Sequence, residues 1–134
     1  MAKKLSVIVL ALVLTFSILL LPVASSVAAS PGWSTMTSNT TEDLFGVWGT
    51  SSTDVFAVGA GGNITHYDGN SWSTMTSNTT NDLYGIWGSS ATDVFAVGTS
   101  GTILNYDGNS WSTMSSSFQN TLTGVWGSSS DSVF

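Results

Sequence analysis

A unit of 39 residues recurs along the chain, and this period limits its fold more strictly than any other feature. Trp33-Ser-Thr-Met36 returns as Trp72-Ser-Thr-Met75 and Trp111-Ser-Thr-Met114. Trp48-Gly49 returns as Trp87-Gly88 and Trp126-Gly127, and Asp54-Val-Phe-Ala-Val-Gly59 as Asp93-Val-Phe-Ala-Val-Gly98. Residues 33–71 and 72–110 are identical at 29 of 39 positions. A fixed period of this length marks solenoids, propellers and arrays, in which a unit buries its apolar face only by stacking on its neighbours.

Within a unit the local chemistry predicts four short strands. Leu83-Tyr-Gly-Ile-Trp-Gly88 is aromatic and β-branched and ends at a turn, Ser89-Ser-Ala-Thr92. Asp93-Val-Phe-Ala-Val-Gly98 is apolar on both faces, as a strand covered on both sides requires. Thr99-Ser-Gly101 turns the chain into a third strand ending at Tyr106. Asp107-Gly108-Asn109 then makes a tight hairpin into Ser110-Trp-Ser-Thr-Met114, because Gly and Asn tolerate positive φ. No segment after residue 30 sustains a helical period. Four antiparallel strands in about forty residues is the size of one propeller blade. The expectation is an all-β chain: a partial β-propeller of about 2.5 blades following an N-terminal signal helix. Its pieces are a fourth strand at 33–38, blades at 44–77 and 83–116, and a partial blade at 122–134. In this reading Gly46, Gly85 and Gly124 lie where blades crowd together and a missing side chain permits close approach. Trp33, Trp48, Trp72, Trp87, Trp111 and Trp126, with Asp54 and Asp93, define the repeat. The tryptophans are expected to wedge between blades; the alternative is a platform on which sugars stack.

The string from Gly85-Ile-Trp-Gly-Ser-Ser-Ala-Thr-Asp-Val-Phe-Ala-Val-Gly98 through Tyr106-Asp-Gly-Asn-Ser-Trp111 resembles the repeats of secreted microbial β-propellers. They are related in style to Asp-box (neuraminidase-type) repeats and to photosystem II assembly factor propellers. The resemblance covers 33–134 and implies a fold, not an activity. It departs from the Asp box, Ser-x-Asp-x-Gly-x-Thr-Trp, in that Asp68-Gly-Asn-Ser-Trp72 is one residue shorter between Asp and Trp.

Residues 1–29 carry a basic start with Lys3 and Lys4, an apolar run over 5–23 and a small-residue cluster ending at Ala29. That order predicts a secretory signal peptide cleaved after Ala29. The alternative is an uncleaved anchor, since the run is long enough to cross a bilayer as a helix. Either way residues 30–134 face outside, as a secreted or cell-surface domain. Those residues hold all eight carboxylates and no Lys or Arg. Nucleic acid is thereby excluded as a partner, because nothing can replace its counterions. Bidentate capture of carboxylate or phosphate by arginine is excluded too. With no cysteine, stability must come from core packing or assembly.

Catalysis finds little footing. His66 is the only histidine, its counterpart one repeat later is Asn105, and a general base needs an orienting partner. The repeated pairs Asp54/Asp93, Asp68/Asp107 and Asp43/Asp82 each suit a side chain bonded to backbone amides in a turn or bulge. Asp68-Gly-Asn70 and Asp107-Gly-Asn109 offer too few oxygens for calcium, so hairpin turns are expected and neither metal nor cofactor. Sequons begin at Asn39, Asn63 and Asn78 and would accept glycans in a host that glycosylates. Val133-Phe134 align with Val94-Phe95, inside a strand. The expectation is the front end of a longer multi-blade protein; the alternative is several copies closing a ring as a homo-oligomer. The functional expectation is a non-catalytic extracytoplasmic module for protein or glycan interaction. The alternatives are a fragment of a propeller hydrolase or lyase whose catalytic residues lie beyond Phe134, and an assembly factor for a membrane complex.

Overall fold

The computed structural model describes residues 35–134. The leader or anchor expected over 1–29, and Trp33, lie outside the described residues. What is described is all-β, in three antiparallel sheets.

The first sheet contains β1 (Leu44–Ser51), β2 (Asp54–Gly59), β3 (Ile64–Tyr67) and β4 (Trp72–Met75), ordered β1-β2-β3-β4. The second repeats it with β5 (Leu83–Ser90), β6 (Asp93–Gly98), β7 (Ile103–Tyr106) and β8 (Trp111–Thr113). Registers match across the repeat: Trp48 faces Phe56 as Trp87 faces Phe95, with irregularities at the same two places in β1 and β5. Between β2 and β3, and between β6 and β7, a three-residue 3-10 turn reverses the chain. The hairpins into β4 and β8 turn on Gly69 (φ 93°) and Gly108 (φ 90°), a backbone that a side chain would strain. The strand expected to end at Gly88 continues to Ser90, because Ser90 still pairs with Asp93.

Two expected elements differ. Residues 35–38 of the fourth strand expected at 33–38 are not strand. Of the partial blade expected at 122–134, β9 (Gly127–Ser129) and β10 (Ser132–Val133) pair and Trp126 exchanges backbone hydrogen bonds with Phe134 at 2.8 and 2.6 Å, while residues 122–125 remain irregular although their counterparts open β5. A strand exists by pairing. β5 pairs with β6 back to Gly98, whereas the counterpart of β6 here extends only to Phe134.

Sheets stack face to face, β1 and β2 against β5, and β5 against β9. Alternation sends Trp48, Phe56, Val58 and Ile64 from the first sheet toward Ile86, Val94, Ala96, Leu104 and Trp111 of the second, and together these form the core. Phe56 meets Tyr106 at 5.7 Å and the edge of Trp111 at 6.4 Å. Nearly identical strands are buried differently as a result. Val47 is 69% exposed, but its counterpart Ile86 is 9% exposed, because only the second sheet is covered on both faces.

Candidate functional site

The hairpin turns and the linkers beside them build the same notch twice. Asp68 Oδ1 accepts hydrogen bonds from the amides of Asn70 (2.9 Å) and Ser71 (2.8 Å), and Asp107 Oδ1 from Asn109 and Ser110 at the same distances. These bonds, led by Ser71 and by Ser110, hold both carboxyls below their ordinary pKa. Among the described residues no cluster of three or more His, Asp or Glu is placed to hold a metal ion.

Each turn faces a linker whose asparagine is in the left-handed region, Asn39 (φ 58°) and Asn78 (φ 61°). Asn78 Nδ2 donates to the Trp111 carbonyl at 3.4 Å, tying linker to strand. The first notch, about 420 Å³, is lined by Met36, Thr37, Asn39, Asn70, Ser71 and Trp72, with Tyr67. The second, about 330 Å³, is lined by Met75, Thr76, Asn78, Asn109, Ser110 and Trp111, with Thr74. The first six residues in each are counterparts one repeat apart. Neither lining contains a charged side chain, so what they offer is amides, hydroxyls, a thioether and indole. The indole Nε1 atoms of Trp72 and Trp111 are buried without a hydrogen-bond partner. Whether an indole N–H meets an acceptor depends on packing between strands, so no local motif announces these two.

Trp111 is 3% exposed and Trp48, Trp72 and Trp87 are half-buried, so none lies open as a broad stacking platform. Trp48 and Trp87 each lie over a glycine of the following sheet: a Cβ on Gly88 would sit 2.6 Å from Trp48, and one on Gly127 2.7 Å from Trp87. Trp126 is exposed. A Cβ on Gly46 would meet the Tyr84 carbonyl at 2.9 Å and one on Gly85 the Gly124 Cα at 2.9 Å, while a Cβ on Gly124 would meet nothing within 4 Å among the described residues. Of the sequon asparagines, Asn39 and Asn78 are exposed, and Asn63 Nδ2 donates to Thr40 Oγ1 at 2.8 Å.

His66 does have the orienting partner a base would need. Its Nε2 lies 2.7 Å from Asp54 Oδ1, and the Thr50 hydroxyl donates to Oδ2 of the same carboxylate. Asp54 therefore bonds to side chains across a hairpin, not to the turn amides expected of it. Partial burial works to raise its pKa, but the bonds from Thr50 and His66 and the charge of His66 outweigh it and hold the pKa low. The second sheet repeats the arrangement without a base: Asn105 Nδ2 donates to Asp93 Oδ1 at 3.1 Å, and Ser89 bonds the same carboxylate. An amide doing the same work marks the cluster as a lock between β2 and β3.

The sheets and notches define a repeat protein of stacked antiparallel sheets that bears two equivalent uncharged surfaces. No protein-family model, curated protein or solved structure matches the chain.

Proposed function

We propose that the four-stranded sheets are blades of a β-propeller and that the protein is a non-catalytic, extracytoplasmic module that binds an uncharged, hydroxyl- or amide-rich ligand: a glycan, or the exposed backbone of a protein loop. The observation that carries this reading is the notch between hairpin and linker, present twice with the same six residue positions and no charged side chain. Equivalent neutral surfaces suit repeated weak contacts that gain by multivalency. Catalysis needs one asymmetric arrangement of acid, base or nucleophile. The sheet order β1-β2-β3-β4, repeated after 39 residues and stacked face to face, supports the blade assignment.

The test is a glycan-array and pull-down screen with the full chain, in parallel with a panel of hydrolase substrates. Binding that weakens additively with Asn39→Ala and Asn78→Ala is expected. Turnover on the panel, with no retained ligand, refutes the reading.

A further inference from the structure

Each four-stranded sheet ends at an outer strand, β4 or β8. Backbone groups alternate in direction along a strand, so the ladder fixes which of them face outward. In β4 the Ser71 carbonyl accepts from the Asp68 amide, and Ser73 and Met75 follow it toward β3, while Trp72 and Thr74 turn away. In β8 the Ser110 carbonyl accepts from Asp107 and the Met114 amide donates to Ile103, so Trp111 and Thr113 turn away from β7. Of the outward amides and carbonyls on these four residues, only the Trp111 carbonyl has a partner among the described residues, Asn78 Nδ2 at 3.4 Å.

Stacking covers faces and leaves these edges at the rim. The extensive contacts between sheets run from β1 and β2 to β5 and from β5 to β9. β4 has the second sheet behind it and β8 has the first in front of it, and neither neighbour pairs with the edge. Edge and notch meet at Trp111: its outward carbonyl takes Asn78, and both residues line the second notch with Met75 and Ser110. Asp68 and Asp107 stand in the hairpins that lead into the two strands. Both are exposed, and each uses Oδ1 for its turn bonds, leaving Oδ2 without a hydrogen bond.

Resting on the reading that the notches bind a partner, we propose that this partner is an extended cationic peptide segment, which adds as a strand to the edge of β4 or β8 and sets a side chain in the notch beside it. Backbone pairing supplies affinity in such a complex, and pockets for alternate side chains supply selectivity. The outward groups of Thr74 and Thr113 and the amides of Trp72 and Trp111 make the ladder. The Trp111 carbonyl keeps Asn78 on one lone pair and offers the other. Charge selects the occupant. Residues 30–134 hold eight carboxylates and no Lys or Arg, so a second copy pairing by its own edge would bring carboxylate toward carboxylate. A lysine or arginine flanking a peptide strand instead meets Asp68 or Asp107. A glycan has no row of amides to match the edge.

The experiment is fluorescence anisotropy of the labelled, capped peptide Lys-Thr-Val-Thr-Val-Lys, titrated with the full chain in a mild non-ionic detergent. Saturable binding is expected with a Kd below about 1 mM, the weak end of measurable affinity. The same peptide N-methylated at each Thr and Val keeps its charge but cannot donate, and should bind about tenfold or more weakly, as loss of two or more hydrogen bonds requires. The double variant Thr74→Pro, Thr113→Pro removes outward amides and leaves the inner ladders whole, and should weaken binding likewise. Replacing both Lys by Glu in the peptide should weaken it too, and Asp68→Asn with Asp107→Asn should narrow that difference. No saturation at 1 mM, equal binding of the N-methylated peptide, or preference for the Glu peptide overturns the proposal. The N-methylated peptide decides the matter even where the proline variant fails to fold. Glycan binding without peptide binding overturns this proposal and leaves the notch reading standing, whereas turnover of hydrolase substrates with no retained ligand overturns that reading itself.

Discussion

Gly85 and Gly124 occupy the same place in the motif Gly-x-Trp, and the structure predicts opposite fates for them on substitution by alanine. A Cβ on Gly85 would lie 2.9 Å from the Gly124 Cα, 3.0 Å from Val97 Cγ2 and 3.1 Å from the Val125 amide nitrogen. Carbon atoms pack best at about 3.5–4.0 Å, so residues 124–125 must retreat by roughly 0.5–1 Å. Two of those neighbours are backbone and cannot rotate away. Overpacking of this kind costs about 1–3 kcal/mol. For a domain of about 100 residues each kcal/mol moves Tm by about 4–8 °C, so a cost near 2 kcal/mol lowers it by about 8–16 °C. Gly124→Ala meets nothing and the backbone there is not left-handed, so it should be neutral or raise stability by up to about 1 kcal/mol through the unfolded chain. The assay is thermal unfolding followed by tryptophan fluorescence on the full chain, at sub-micromolar concentration so that self-association does not contribute. Equal shifts for the two variants would refute the reasoning, since only the neighbouring sheet distinguishes the sites.

Two further outcomes are expected. Ser100 holds φ 56° where its counterpart Gly61 holds 61°; Ser100→Gly should relieve about 1–2 kcal/mol of left-handed strain, less about 0.5–1 kcal/mol of added chain entropy, and raise Tm by a few degrees in the same melt. The pKa values of Asp54, Asp68 and Asp107 are all lowered on folding, so their contribution is whole above the unfolded carboxyl value near 4 and is lost as pH falls through the folded values. A Tm profile should be level between about pH 5 and 7 and decline below about pH 4, and the double variant Asp68→Asn, Asp107→Asn should decline less steeply.

Local chemistry was enough to read β6 at both ends, because Asp93 and Gly98 bound a run of apolar residues and each begins or ends a turn. The hairpin at Asp107 was legible for the same reason, although Gly108 alone takes positive φ and Asn109 does not. Burial was not legible: Leu44 and Leu83 sit in nearly identical sequence, yet one is 38% exposed and the other fully buried. What differs is a neighbouring sheet, and a strand does not encode how many neighbours it has. Residues 122–125 form no strand for a related reason, since propensity does not supply a partner. The Asp54–His66 bond joins residues twelve apart through the register of a hairpin, Val55 against Tyr67. Assigning that register before weighing His66 would have found it. At the notches, the asparagines and tryptophans were visible, but their meeting across the sheet edge was not.

The step from Trp48 to Gly88 and from Trp87 to Gly127 has a consequence for how such a gene can change. Each unit carries both the ring that reaches forward and the bare backbone that receives one. Insertion or loss of 39 codons anywhere in the array therefore leaves every remaining joint matched. A change within these strands that is not a whole number of units puts a side chain where an indole must lie. Growth by whole copies is open to this chain without inventing a single new contact, while gradual lengthening is closed.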